Sequence, residues 1–178
     1  TSLTLPDAFE SMDDTAFWYM PKLERVDLGG ATMLPDSAFR YDRALAEVNF
    51  RPDLNRLAEV GDYAFDTTAL TSATLPDSVT SIGKGAFSNE TALTSLHLGS
   101  GIASIGESAF VGSNNLASLT VDPANTVYSV EDGALYSKGD AGRTLVLYLP
   151  TKTDTDVTVP EGTTAIADAA FASNTSLR

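Results

Sequence analysis

An alanine-phenylalanine pair followed by a leucine recurs along nearly the whole chain of 178 residues. The phenylalanines of the six copies are Phe17, Phe39, Phe65, Phe87, Phe110 and Phe171. The leucine comes six residues after the phenylalanine in five copies and five residues after it at Phe65. A period of 22 to 26 residues between the first five copies indicates a repeat array, in which each unit stacks on the next.

The segment after each leucine alternates apolar and polar residues, as in Leu93-x-x-Leu96-x-Leu98 and Leu116-x-x-Leu119-x-Val121. Alternation with a period of two is typical of a half-buried strand. A second apolar pair, such as Val79 and Ile82, precedes the next alanine-phenylalanine pair. We therefore predict a mostly β solenoid of short parallel strands, connected by loops and by short 3-10 or α turns.

One interval breaks the period, because Phe110 and Phe171 are 61 residues apart. Residues 128–130, 134–136 and 145–149 have strand composition, and turn-forming residues follow at 131–133 and 138–142. We predict that residues 122–158 form a β-hairpin or a small antiparallel sheet inserted in one repeat. Because the pattern resumes at Val157, Val159 and Ile166, the hairpin is expected to project without interrupting the stack.

The segment Leu75-Pro76-Asp77-Ser78-Val79-Thr80-Ser81-Ile82-Gly83-Lys84-Gly85-Ala86-Phe87 resembles the BspA-like class of leucine-rich repeats, and so do the inserted residues 128–136. The resemblance covers essentially the whole chain. It implies a leucine-rich repeat solenoid, a right-handed coil, as one domain over residues 1–178. The chain begins within a strand at Leu3 and closes just after Leu177, so we expect a fragment of a longer array.

Proteins of this class are typically secreted or displayed on bacterial surfaces and are associated with adhesion. The resemblance therefore implies an extracellular or cell-surface module that binds an extracellular or host protein, with carbohydrate as a further possible ligand. A passive spacer that holds other domains away from the cell is the alternative. No leader precedes Thr1, so the location is inferred from the resemblance alone.

Composition argues against several classes of function. A net charge of -13 disfavours nucleic acid as a partner, and the longest apolar stretch, 145–149, is too short to span a membrane. Cysteine is absent and His97 is the only histidine, so neither a nucleophile-base pair nor a transition-metal site is indicated. Acidic pairs such as Asp13-Asp14 are more typical of solvated turns than of a calcium loop. We predict no enzyme activity, no cofactor and no metal.

Two surfaces are candidate protein-binding sites. The first is the outward side of the predicted strands, which we call the strand ladder. Its residues are Arg25, Asp27, Glu47, Asn49, Ser72, Thr74, Ser95, His97, Ser118 and Thr120. The first strands of the ladder carry charged residues, and the later strands carry mostly serine and threonine. This is also an ordinary composition for an exposed strand face.

The second candidate site comprises Trp18, Tyr19 and Tyr41, where other repeats have polar residues such as Ser88 and Asn89. Aromatic side chains are enriched at protein interfaces. The same residues could instead pack against a repeat that precedes this chain. Six of the 11 basic residues, Lys22, Arg25, Arg40, Arg43, Arg51 and Arg56, share this end.

Overall fold

The computed structural model describes residues 1–139 and 142–177 as a parallel-strand solenoid of about seven turns. Its strands are β1 Ser2–Thr4, β2 Arg25–Asp27, β3 Met33–Leu34, β4 Glu47–Asn49, β5 Glu59–Val60, β6 Ser72–Thr74, β7 Ser81–Ile82, β8 Ser95–Leu98, β9 Ser104–Ile105, β10 Ser118–Val121, β11 Tyr128–Glu131, β12 Ala134–Gly139, β13 Gly142–Tyr148 and β14 Thr163–Ile166. The predicted strand in each repeat is confirmed. The centre of the turn predicted at 138–142 lies outside the described residues.

The turns that precede the inserted segment contribute strands to two parallel ladders. Strands β1-β2-β4 and β6-β8-β10 form the first ladder in two separate sheets, and β3-β5-β7-β9 form the second. The inward residue is buried in every first-ladder strand after β1, as at Val26, Ala73 and Leu96, and Leu3 of β1 is half-buried. The break between β4 and β6 coincides with the copy in which the leucine follows Phe65 after only five residues.

No 3-10 or α helix forms within residues 1–139 and 142–177, and the predicted short turns occur as single hydrogen-bonded turns, such as the one in which the Ala64 amide donates to the Gly61 carbonyl at 3.3 Å. The backbone has a positive φ two residues before and two residues after each phenylalanine of the repeat. These residues are Thr15 and Tyr19, Ser37 and Tyr41, Tyr63 and Thr67, Gly85 and Asn89, Ser108 and Gly112, and Ala169 and Ser173. Because a residue in the left-handed conformation lies on each side of the phenylalanine, the turn between them cannot continue into a helix.

The repeated phenylalanines form one stack along the solenoid. The ring centroids of Phe39 and Phe65 are 5.6 Å apart, and those of Phe65 and Phe87 are 5.3 Å apart, with interplanar angles of 7° and 19°. Phe17 and Phe110 extend the stack at its two ends. The backbone supports the same register, since the Phe87 amide donates to the Ala109 carbonyl at 2.8 Å.

The segment predicted to project lies within the stack, so that part of the prediction is wrong. Its strands at 128–130, 134–136 and 145–149 are confirmed, but β13 pairs in parallel with β14 and in antiparallel with β12. Leu135 and Leu147 pack in the same core as the earlier repeats. Tyr136 and Leu145 pack in a second core with Ala170 and Phe171. The segment therefore packs in both cores and does not project from the solenoid.

Tyr148 takes the place of the repeat phenylalanine ahead of the last turn. Its ring centroid lies 5.4 Å from that of Phe171, and its amide donates to the Ala170 carbonyl at 2.7 Å. The backbone hydrogen bond matches the one that Phe87 makes with the following turn, whereas the two rings are tilted by 39° and not stacked. Val157 and Val159 precede this last turn outside any strand, and Ile166 is 56% exposed. The hydrophobic pattern at these three positions did not specify their structure.

Candidate functional site

The strand ladder assembles in the predicted register. Arg25 lies beside Glu47, and Asp27 beside Asn49, in the β2-β4 pair. Ser95 lies between Ser72 and Ser118, and His97 between Thr74 and Thr120. Because β4 and β6 do not pair, the predicted contiguous face is divided into a charged half and a serine-threonine half.

The polar groups of the charged half are largely used within the fold. Asp27 accepts hydrogen bonds from the Gly29 amide and the Asn49 side chain, each at 2.9 Å, and from Arg51 at 3.3 Å. Burial raises the pKa of Asp27, but these three donors outweigh it and lower the pKa below its ordinary value. Arg51 also pairs with Asp7 and Asp53. Arg25, Glu47 and Asn49 are exposed in this half, whereas Asp27 is half-buried.

The serine-threonine half carries one internal side-chain contact that the sequence did not indicate. Nδ1 of His97 lies 2.9 Å from the Thr120 hydroxyl. His97 and Ser95 are half-buried, whereas Ser72, Thr74, Ser118 and Thr120 are exposed. His97 was predicted to be an exposed strand residue. It does point to the outward face, but neighbouring residues partly cover it.

The aromatic side chains meet as predicted from their repeat positions. Trp18 is 51% exposed and Tyr19 is 59% exposed, with ring centroids 5.9 Å apart. The ring of Tyr41 meets Trp18 edge-on at 6.5 Å. Met20, which sequence reasoning missed, adjoins them in the chain and is 42% exposed. We call Trp18, Tyr19, Met20 and Tyr41 the aromatic patch.

Arg40 holds the inner side of the aromatic patch in place. Its guanidinium lies 4.8 Å from the ring centroid of Tyr41 and 4.8 Å from that of Tyr63. Its Nε donates to the buried Asp66 carboxylate at 2.8 Å. A cation between two rings and an ion pair restrict the Tyr41 side chain. Arg40 occupies the repeat position of Trp18, which is the signal that could have identified it.

Two buried carboxyl groups lie three residues after repeat phenylalanines. Asp42 lies beneath the aromatic patch and accepts a hydrogen bond from the Met20 amide, while its Oδ2 has no partner among the described residues. Glu90 accepts hydrogen bonds from the Thr68 and Leu70 amides at 2.6 and 3.1 Å. Burial raises the pKa of each carboxyl to about 7, in spite of these donors.

These two groups predict a pH-dependent stability. Their ordinary pKa values are 3.8 and 4.5, so the folded protein binds their protons more tightly than the unfolded chain does. The stabilisation is complete below about pH 4 and is lost as the pH rises through about 7, a change of roughly 1–3 kcal/mol per group. We expect a lower urea midpoint at about pH 8 than at about pH 5.5, and flatter profiles for Asp42→Asn and Glu90→Gln. Asp13→Asn, at an exposed position, is the control, and equal pH slopes in all four proteins would contradict the prediction.

Residues 1–139 and 142–177 contain no cluster of three or more histidine, aspartate or glutamate side chains that could bind a metal ion. Over the same part of the chain, no helix is long and apolar enough to cross a membrane.

These features define a leucine-rich repeat solenoid. Residues 1–60 and 58–140 match six copies of the BspA type leucine rich repeat region, and the chain belongs to this family. No curated protein matches the sequence.

Solved bacterial structures share the fold. A leucine-rich repeat protein from Eubacterium ventriosum ATCC 27560 is 23% identical, with a TM-score of 0.88 over 99% of this chain and 46% of that one. The pneumococcal vaccine antigen PcpA is 20% identical, with a TM-score of 0.71 over 99% of this chain and 53% of that one. A leucine rich cell surface protein from Faecalibacterium prausnitzii A2-165 is 21% identical, with a TM-score of 0.56 over 99% of this chain and 62% of that one. The chain thus spans about half the length of these proteins.

Proposed function

We propose that this chain is a non-catalytic protein-binding segment of a secreted or cell-surface bacterial protein, and that the aromatic patch contacts the partner. The carrying observation is the exposure of Trp18 and Tyr19, at 51% and 59%, at repeat positions that are polar in the middle turns. The names of two structural neighbours, a cell surface protein and a vaccine antigen, support the location.

The chemistry of the patch suits a protein partner. Aromatic side chains and methionine bury large apolar areas at a low cost in conformational entropy, and they dominate the affinity of many interfaces. Arg40 already fixes Tyr41, so part of the surface is ordered before binding. The basic residues Arg40 and Arg43 lie near the patch in an otherwise acidic chain, which favours a partner with an acidic rim.

The passive spacer is the second candidate function. The uninterrupted stack from Phe17 to Phe110 favours it, because a continuous core couples five successive turns into a stiff unit. The internal use of Asp27 and Asn49 also leaves fewer free groups on the strand ladder for a ligand.

Replacing Trp18 and Tyr19 together with serine separates the two functions. Serine tolerates the positive φ at Tyr19, since Ser173 has a φ of 68° at the equivalent position. We expect little change in thermal midpoint and an affinity loss of about 30-fold or more, as for removal of an interface hot spot. Affinity is measured by surface plasmon resonance against a panel of purified extracellular matrix proteins.

The matched control is the double variant Asp13→Ser and Asp14→Ser, two exposed positions on the same turn. It should bind as the unchanged protein does. A lowered thermal midpoint with unchanged affinity would show that Trp18 and Tyr19 serve packing and would favour the spacer. Unchanged values of both would shift the binding proposal to Glu47, Thr74 and the other exposed residues of the strand ladder.

A further inference from the structure

The inserted segment leaves a cavity between the turn that carries Phe110 and the turn that carries Phe171. Up to Phe110 each turn lies directly on the next, as the hydrogen bond from the Asn89 amide to the Val111 carbonyl shows at 2.7 Å. Beyond it the register is interrupted, because Tyr148 supplies the amide that meets Ala170. The resulting cavity has a volume of about 240 Å³. We call it the insertion cleft.

The walls of the insertion cleft are mainly apolar. Phe110 and Ala109 line one side, Ala169 and Ala172 line the other, and Val146 of the inserted sheet contributes to the lining between them. The buried Tyr128 side chain also lines it. An apolar lining of this kind favours an aliphatic chain over a polar group.

The residues at the mouth are polar and acidic. Asp168 and Glu107 are exposed, and the Ser108 hydroxyl donates to Asp168 at 3.3 Å across the opening. The nearest cation to Glu107 among the described residues is Lys84, whose ammonium lies 3.8 Å from the Glu107 carboxylate with both side chains mostly exposed. An exposed pair of this kind contributes little, so negative charge predominates at the mouth.

Size and charge together select the occupant. A cavity of about 240 Å³ lies below the usual range for a small-molecule site, roughly 300–1,000 Å³, and corresponds to one large side chain. Lysine and arginine side chains combine an aliphatic stem with a cationic end that stays at a polar surface. We propose that the insertion cleft receives the lysine or arginine side chain of a protein partner, with the stem against Val146 and Ala172 and the cation between Asp168 and Glu107.

The assignment rests on the proposed protein-binding function, but its test does not require the partner. The intact chain is titrated with n-butylguanidinium, n-butylammonium, n-butanol and butyrate, and the amide resonances of Ser108, Ala169 and Ala172 are followed by NMR. We expect the two cations to bind about 10-fold more tightly than butanol, and butyrate more weakly than butanol. Equal affinity for butanol and the cations, or no shift at these amides, would overturn the assignment.

Variants separate the cavity from the charge at its mouth. Asp168→Asn combined with Glu107→Gln should abolish the preference for cations while butanol still binds. Ala172→Leu should fill the cavity and abolish binding of all four probes, and its thermal midpoint is compared with that of the unchanged protein. If that variant fails to fold, Val146→Phe serves the same purpose.

The control Glu161→Gln removes an exposed acidic charge that does not line the cleft. It should leave all affinities unchanged, and a loss equal to that in the Asp168 and Glu107 variant would show that only the net charge matters. Failure of the probe titration would leave the aromatic patch and its partner assay unaffected. A failed partner assay with successful probe binding would refute the aromatic patch alone.

Discussion

Phe87→Ala is expected to lower the free energy of unfolding by about 3–5 kcal/mol, the range for emptying a buried aromatic position. Phe87 is fully buried and stacks between Phe65, at 5.3 Å, and Phe110, at 6.3 Å. Removing its ring leaves a void that touches the turns on both sides, and a stack joined by shared rings has no surplus side chain to fill it.

The comparison variant is His97→Ala on the outward face. Its cost should be about 1 kcal/mol or less, because the contact with Thr120 is accessible to water. Urea midpoints at constant m-value measure both effects. Similar costs for the two variants would mean that the inward and outward faces of the repeat have been assigned incorrectly.

Replacing Asn125 to Thr155 with a short glycine-serine linker is expected to have an even larger effect. The replacement removes Leu135, Leu147 and Leu149 from the main core, and each buried apolar side chain contributes about 1.5–3 kcal/mol. It also removes Tyr136, Leu145 and Tyr148, which pack against Ala170 and Phe171 in the second core. We expect the last turn to unfold and cooperativity to be lost.

Hydrogen exchange at the amides of Ala167 and Ala170 reports on this loss, since both donate backbone hydrogen bonds in the last turn. A milder variant, Tyr148→Ala, should lower the protection of the same amides by removing the ring that packs against Phe171. Asp156→Ala, at an exposed position in the same segment, is the control. A deletion variant that keeps a single cooperative transition and native protection would show that the segment is only peripheral.

The sequence was sufficient to predict the repeat, the strand in each turn and the proximity of Trp18, Tyr19 and Tyr41. These depend on local periodicity, because a residue's distance from its repeat phenylalanine also fixes which way its side chain points in the turn. The same logic predicted that Trp18 and Tyr41 would be neighbours, since residues at related repeat positions stack in adjacent turns.

Only the tertiary structure determined the features that depend on packing and strand pairing between different turns. A period of 61 residues between Phe110 and Phe171 indicates an insertion, but periodicity cannot say whether the extra strands project or enter the stack. The outcome depends on Tyr148 substituting for a phenylalanine and on β13 pairing with β14, both of which are contacts between distant residues. The insertion cleft is a consequence of that displaced register. The break between β4 and β6 and the burial of Asp42 likewise arise from packing between turns, which no single repeat encodes.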